Sequence, residues 1–258
     1  MPQLVALPAF VDNYIWMLHD GSDAVVVDPG DAGPVKAALA SLGLRLTGIL
    51  VTHHHRDHTG GIEALRPLLH GRVHGPAREP IPQPCVPLGE GDLIEVLDLN
   101  LRVLEVPGHT AGHIAYFQAD GQPEPLLFCG DTLFSAGCGR LFEGTPAQMH
   151  DSLTRLAALP QDTRVCCTHE YTLSNLRFAA AVEPANDAIA DHARHCQALR
   201  AQGLPTLPSS LARERGINPF LRCSEPIVAA AAAARAAGTD PDDPVAVLAA
   251  LRTWKNTF

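Results

Sequence analysis

Gly48-Ile49-Leu50-Val51-Thr52-His53-His54-His55-Arg56-Asp57-His58-Thr59-Gly60-Gly61 is the stretch that decides how this chain is read. Its first part, with Thr47 before it, is a continuous β-branched and apolar run, the pattern of a strand covered on both faces. The strand runs straight into four potential metal ligands within six residues, His53, His55, Asp57 and His58. In an extended chain, side chains two apart point the same way. His53 and His55 can therefore bind one ion, and Asp57 and His58, just past the turn, can reach a second. Imidazole and carboxylate are ligands that zinc, iron and manganese accept. The end of a buried strand is also where open α/β sheets place their sites.

Working outward, three more segments repeat the logic of a strand, a small or turn residue, then a ligand. Pro107-Gly108-His109 follows the apolar run Leu101–Val106, Cys129-Gly130-Asp131 follows Leu126–Cys129, and Thr168-His169 follows Arg164–Thr168. A lone histidine after a strand is ordinarily a polar loop residue. Three such residues beside a His-x-His-x-Asp-His run point instead to one shared site.

The rest of the chain organises around that site. Leu4–Leu7, Tyr14–Leu18 and Ala24–Asp28 read as strands, Val35–Leu42 as a short helix ending before Gly43, and Leu93–Val96 with Leu101–Val106 as a hairpin. Ile114–Gln118 and Leu126–Cys129 read as a second hairpin, and Pro146–Leu159 as a helix. Beyond Glu170 the strand signals stop. Leu173–Gln202 reads as helical with a break near Glu183-Pro184, Pro205–Pro208 and Asn218-Pro219 as loops, and Ile227–Ala237 as a helix ending at Gly238. The acids of Asp240–Pro244 are placed to cap a last helix, Val245–Leu251. The expected fold is α/β, a strand-and-helix domain over 1–169 followed by a small all-helical domain over 170–258.

The metal-ligand set resembles that of the metallo-β-lactamase superfamily, whose fold is an αββα four-layer sandwich. The resemblance implies one divalent ion on His53, His55 and His109, a second on Asp57, His58 and His169, and Asp131 bridging the two. Zinc is the expected metal, with iron and manganese as alternatives. His54 and His113 are not expected to be ligands. Other segments are similar to the glyoxalase II family: Phe10-Val11-Asp12-Asn13-Tyr14, Gly137–Gly144, Thr168-His169-Glu170-Tyr171-Thr172, Asn218–Arg222, and the terminal Arg252-x-x-Lys255-x-x-Phe258. That family resemblance implies hydrolysis of S-(2-hydroxyacyl)glutathione thioesters such as S-D-lactoylglutathione, the second step of methylglyoxal detoxification. Asp57 and Asp131 are the expected catalytic residues, and water activated between the ions is the expected nucleophile. Carried over by position, Arg140, Phe142, Tyr171, Arg252 and Lys255 contact glutathione, whose two carboxylates suit a guanidinium or ammonium partner. The chain departs from the family where some members have Lys and Tyr at the positions of Arg140 and Phe142, and where Gly is common in place of Thr168. The alternative is a glutathione persulfide dioxygenase or another superfamily hydrolase.

Composition excludes other classes. The 258 residues carry 19 basic and 28 acidic side chains, a formal charge of -9, which disfavours a nucleic-acid partner. No apolar run approaches the ~18 residues of a membrane span. Met1-Pro2-Gln3-Leu4 starts no basic-then-apolar leader, and the seven cysteines include no Cys-x-x-Cys pair. Free, non-catalytic thiols, a cytoplasmic location and a monomer binding a small-molecule glutathione thioester are the expectations.

Overall fold

The computed structural model describes residues 1–120 and 124–258, and the chain divides into two compact units. Unit 1 comprises Met1–Glu105, Ala111–Gly130 and Cys166–His169, and unit 2 comprises Val106–Thr110, Asp131–Val165 and Glu170–Phe258.

Unit 1 holds a six-stranded mixed sheet in chain order: β1 (Gln3–Ala9), β2 (Asn13–His19), β3 (Asp23–Val27), β4 (Arg45–Leu50), β5 (Leu69–Pro76) and β6 (Val86–Leu88). The first two pairings are antiparallel, while β3–β4, β4–β5 and β5–β6 are parallel. Helix α1 (Ala32–Leu42) makes the crossover to β4; Asp31 caps its start and Gly43 ends it in the left-handed region at φ 66°. Two short helices, α2 (Arg56–Thr59) and α3 (Ile62–Leu65), follow β4. Val35 and Leu39 of α1 and Ile62 and Leu65 of α3 pack with Met17, Val26, Ile49 and Val51 in one buried cluster. The strand read as Thr47–Thr52 is β4, but its regular part begins at Arg45 and ends at Leu50. Val51, Thr52 and His53 continue it as buried coil, so the ligand run starts where strand pairing stops.

The second sheet of unit 1 contains β7 (Leu93–Val96), β8 (Leu99–Glu105), β9 (Ile114–Gln118) and β10 (Leu126–Gly130), joined antiparallel as the two expected hairpins. The Tyr116 hydroxyl on β9 donates to the Val51 carbonyl at 2.8 Å and ties the two sheets together beside the ligand run. Trp16 Nε1 donates to the Cys167 carbonyl at 3.0 Å and does the same for the Cys166–His169 segment.

In unit 2, the two-stranded ribbon β11 (Leu133–Phe134) and β12 (Gly137–Cys138) follows Asp131. Helix α4 (Pro146–Ala157) opens with a complete capping box of Thr145 and Gln148. The last sheet strand, β13 (Arg164–Cys167), pairs through Arg164 and Val165 with β14 (Ser209–Ser210). The helical tail comprises α5 (Thr172–Val182), α6 (Asp187–Ala201), α7 (Leu211–Ile217), α8 (Pro226–Arg235) and α9 (Pro244–Asn256). The expected break falls at Glu183–Asn186, where the Asn186 side chain starts α6 by accepting from Ala188 N. Asp243 caps α9, which runs further than expected, to Asn256. The expected Asn218-Pro219 loop is a 3-10 turn over Pro219–Leu221, and α7 was not visible in the periodicity because its seven residues span only two turns.

Candidate metal centre

In unit 1, the donor atoms of Asp57, His58 and His169 lie within 4.8 Å of one another. Asp57 Oδ2 is 3.6 Å from His58 Nε2 and 3.5 Å from His169 Nε2. Each imidazole is oriented from its other side. His58 Nδ1 lies 3.0 Å from Asp28 Oδ2, and His169 Nδ1 lies 2.9 Å from Asp12 Oδ1. A carboxylate only accepts, so His169 donates from Nδ1 to Asp12, and the Nε2 atoms of both rings face Asp57. A carboxylate behind the ring is how proteins orient a histidine toward a metal at its other nitrogen.

Asp28 is positioned with care. It is buried, sits at φ 53°, and accepts from the Thr52 amide and the Thr52 hydroxyl, both at 2.8 Å. A left-handed backbone is uncommon for a non-glycine residue. Gly30, two residues on, must be glycine for a different reason: a Cβ there would fall 1.8 Å from the Asp57 carbonyl oxygen. The Asp28-Pro29-Gly30 loop therefore presses directly against the ligand turn.

His53 and His55 lie in the same unit, their ring centroids 4.6 Å apart, and His53 is 4.0 Å from the His58 ring. His53 also stacks on His113 at 4.6 Å, and its Nδ1 is 3.1 Å from the Thr52 hydroxyl. His54 points elsewhere, with Nδ1 2.9 Å from Glu79 Oε2. Imidazole and carboxylate, ligands that a divalent cation accepts, are thus gathered in one unit, and the residues fit a metal.

Unit 2 pairs His109 with Asp131, Nε2 to Oδ2 at 3.4 Å. His109 Nδ1 donates to the Arg140 carbonyl at 2.8 Å, which again fixes the proton on Nδ1. The remaining residues singled out from the sequence are also in unit 2. Arg140 and Phe142 are exposed, and the Phe142 ring lies 5.3 Å from that of His109. Tyr171 packs edge-on to Phe134 at 5.5 Å. Lys255 is half-buried, with Nζ 3.3 Å from the Ser174 carbonyl and 5.4 Å from the Phe178 ring centre. Arg252 is only 6% exposed: its Nη1 donates to the Cys138 carbonyl at 2.7 Å, and its guanidinium lies 5.2 Å over Phe220. It braces the β11–β12 ribbon as well as carrying charge.

The sequence reading missed Asp12, Asn13 and Asp28 as residues that orient the ligands. Asn13 Nδ2 donates to Asp57 Oδ2 at 3.2 Å. Polar residues at a hairpin tip and at a strand end were the only local signal, and both look like turn chemistry. Asn13→Ala is expected to weaken metal binding by about 10–100-fold, read by competition with a chelator; unchanged affinity would remove Asn13 from this role. The cysteines are not nucleophiles in waiting: burial pushes the Cys85 and Cys196 thiols up to about 11 and Cys223 up to about 12.

Comparison with known proteins gives the family. Residues 9–169 match the model of the metallo-beta-lactamase superfamily, and residues 170–258 match that of the hydroxyacylglutathione hydrolase C-terminus. The chain is 61% identical to a hydroxyacylglutathione hydrolase of Albidiferax ferrireducens, covering 99% of this chain and 100% of the relative. It is 57% identical to that of Pseudomonas paraeruginosa, over the full length of both. Among solved structures, ETHE1 from Myxococcus xanthus superposes with a TM-score of 0.64 at 25% identity, covering 96% of this chain and 90% of that one. A protein solved in a di-iron-bound form (TTHA1623) does so with a TM-score of 0.60 at 27% identity, covering 85% and 100%. The chain has the metallo-β-lactamase fold and belongs to the hydroxyacylglutathione hydrolase family.

Proposed function

We propose that this chain is a metal-dependent thioesterase that hydrolyses S-(2-hydroxyacyl)glutathione, such as S-D-lactoylglutathione, to glutathione and a 2-hydroxy acid. The observation that carries this reading is the Asp57–His58–His169 triad, with Asp28 behind His58 and Asp12 behind His169, in a chain 61% identical over its length to a hydroxyacylglutathione hydrolase. We assign one divalent cation to His53, His55 and His109 and a second to Asp57, His58 and His169, with Asp131 shared. Zinc suits this nitrogen-and-oxygen donor set; iron is the alternative, favoured by the di-iron form of the structural relative.

When bound, the cations acidify water to hydroxide near neutral pH and polarise the thioester carbonyl. The chain's own residues do the rest. Asp28 and Asp12 keep His58 and His169 in register, and Arg140 does the same for His109 through its carbonyl. Asp57, held by Asn13, and Asp131 supply the negative charge that balances two cations. A glutathione thiolate is a far weaker base than an amine or alkoxide, so no strong general acid is needed at the leaving sulfur, and no protein nucleophile is required.

We assign catalysis to residues 1–169 and glutathione binding to residues 170–258 together with Arg140 and Phe142. Lys255 and Arg252 supply cations for the glutathione carboxylates, and Tyr171 and Phe142 offer exposed rings to its backbone. We propose that the chain works as a monomer; all seven cysteines are free, which suits the reducing cytoplasm. Among the described residues no helix is long and apolar enough to cross a membrane.

The test is hydrolysis of S-D-lactoylglutathione by the purified protein with metal content measured on the same sample. Rapid turnover, abolished by a chelator and restored by zinc, manganese or iron, is the expected result. No hydrolysis by protein carrying two ions overturns the reading.

Lys255 adds a pH dependence. Burial, then the neighbouring charges of Arg252, Arg177 and Arg140, lowers its pKa from the ordinary lysine range to about 8. Below that pH the ammonium pairs with a substrate carboxylate, and above it the charge is lost. The value of kcat/KM, which reports groups of the free enzyme, is therefore expected to fall as pH rises through about 8. Lys255→Ala should remove that limb; a variant with the same limb excludes Lys255 as its source.

A further inference from the structure

The middle histidine of the ligand run is gripped by a carboxylate that the thioesterase scheme leaves unused. The Glu79 side chain is only 2% exposed. Its Oε2 accepts from the His54 amide at 2.6 Å and from His54 Nδ1 at 2.9 Å, and its Oε1 accepts from the Gly112 amide at 3.1 Å. A carboxylate taken out of water is costly unless donors meet it, and these three N–H groups do so. Glu79 is itself held in place. It follows β5, and Ala77, two residues before it, donates to the Leu88 carbonyl at 2.8 Å. Ile81, two residues beyond, is 4% exposed and belongs to the buried cluster of α1 and α3. The Gly112 loop sits directly on the carboxylate: a Cβ on Gly112 would fall 2.7 Å from Glu79 Cγ and 3.1 Å from the Arg78 backbone.

This grip bears on the neighbours of His54. Past Val51, whose amide donates to the His74 carbonyl at 2.9 Å, side chains take over from the sheet in holding the backbone of the ligand run. The Thr52 amide goes to Asp28 and the His54 amide to Glu79. Asp28 also stands behind His58, in the second donor set. Glu79 instead holds the residue between His53 and His55, the two unit 1 donors assigned to the first cation. The His54 ring lies 6.5 Å from that of His53, whereas the His55 ring lies 4.6 Å from it. Through Gly112 the same carboxylate fixes the loop that carries His113, whose ring stacks on His53 at 4.6 Å. One side chain thus joins the two segments that flank the His53 ring. Metal–ligand distances must hold to about 0.2 Å. A backbone free to swing at residue 54 would spread the two imidazoles by more than that.

We propose that Glu79 is a positioning residue for the first cation site: by joining residue 54 to the Gly112 loop, it sets the separation of His53 and His55. The proposal rests on the cation assignments of the thioesterase reading and not on its substrate. The test is zinc affinity, read by competition with a chelator, in two backgrounds of the full chain. His169→Ala cripples the second site and leaves the first to be measured; His55→Ala does the opposite. Glu79→Ala is expected to weaken zinc binding by about 10–100-fold in the His169→Ala background. In the His55→Ala background the change is expected to stay within about twofold, as for independent sites. Glu79→Gln keeps the side-chain volume but offers one acceptor oxygen in place of two. It is expected to show the same selectivity at about 10-fold, and it answers the question if Glu79→Ala does not fold. A general loosening of the protein would weaken both backgrounds alike. Equal losses in the two backgrounds, or no loss in either, overturn the proposal. Selective loss in a protein whose native form hydrolyses no S-D-lactoylglutathione keeps the proposal and overturns the thioesterase reading; equal losses in one whose native form does hydrolyse it do the reverse.

Discussion

Asp131→Ala is expected to lower kcat/KM for S-D-lactoylglutathione by on the order of 10³-fold or more, and to leave the protein with about one metal ion or fewer per chain. Asp131 is 7% exposed, with Oδ2 3.4 Å from His109 Nε2. A carboxylate in that place does two things. It offers oxygen donors, and it supplies negative charge in a setting where water screens little. Alanine removes both. Asp131→Asn separates the contributions, because it keeps the shape and one oxygen donor and loses the charge. If charge dominates, the Asn variant resembles the Ala variant in activity and in metal content measured by plasma emission. Native turnover and native metal content in Asp131→Ala would sink the shared-ligand assignment.

Glu214→Ala is expected to cost stability rather than chemistry first, by about 3–5 kcal/mol. Glu214 is completely buried in unit 2, on α7, and burial raises its pKa above the ordinary carboxyl range. Its two oxygens collect four donors: the Ala136 amide at 2.7 Å, the Ser135 hydroxyl at 3.1 Å, Asn218 Nδ2 at 3.2 Å, and the Ser209 hydroxyl. Ala136 sits at φ 53°, a backbone state that alanine seldom adopts without support. Asn218 reinforces the same loop by donating to the Phe134 and Gly137 carbonyls at 3.1 and 2.9 Å. Removing the carboxylate orphans buried donors and opens a cavity together. In a chain of this size each kcal/mol shifts the midpoint by roughly 2–4 °C, so a fall in Tm on the order of 10 °C is expected by calorimetry. Glu214→Gln keeps an acceptor for the Ala136 amide and offers its NH2 to the two hydroxyls, so it should lose less than half as much. Equal losses in the two variants would show that charge, not the acceptor pattern, is what the loop needs.

Much of the candidate site was legible in the sequence because its donor residues are locally encoded. Four donors follow one buried strand in six residues, and each later donor follows a strand of its own. Strand and helix periodicities are properties of short windows, so both hairpins, the change to a helical tail beyond Glu170, and the break ahead of Asn186 could be read directly. Short elements escaped, such as α2, α3 and α7, and so did β5 and β6. A run of three to eight residues with mixed polarity carries too little periodicity to rise above its surroundings.

What the sequence by itself determined is the kind of chemistry on offer: imidazole and carboxylate donors at strand ends, followed by a helical segment. The tertiary structure decided how those donors are held. The partner of His169 is Asp12, 157 residues away, that of His58 is Asp28, and the loop after Asp131 leans on Glu214, 78 residues beyond Ala136. Each of these is an ordinary turn or helix residue when read locally. A hydrogen bond between distant residues leaves no mark on the periodicity of either segment. The left-handed backbones at Phe10 and Ala136 are likewise invisible in side chains that do not favour them. They exist because packing on the surrounding sheet and helices outweighs the local steric preference, and that balance is set only when the chain has folded.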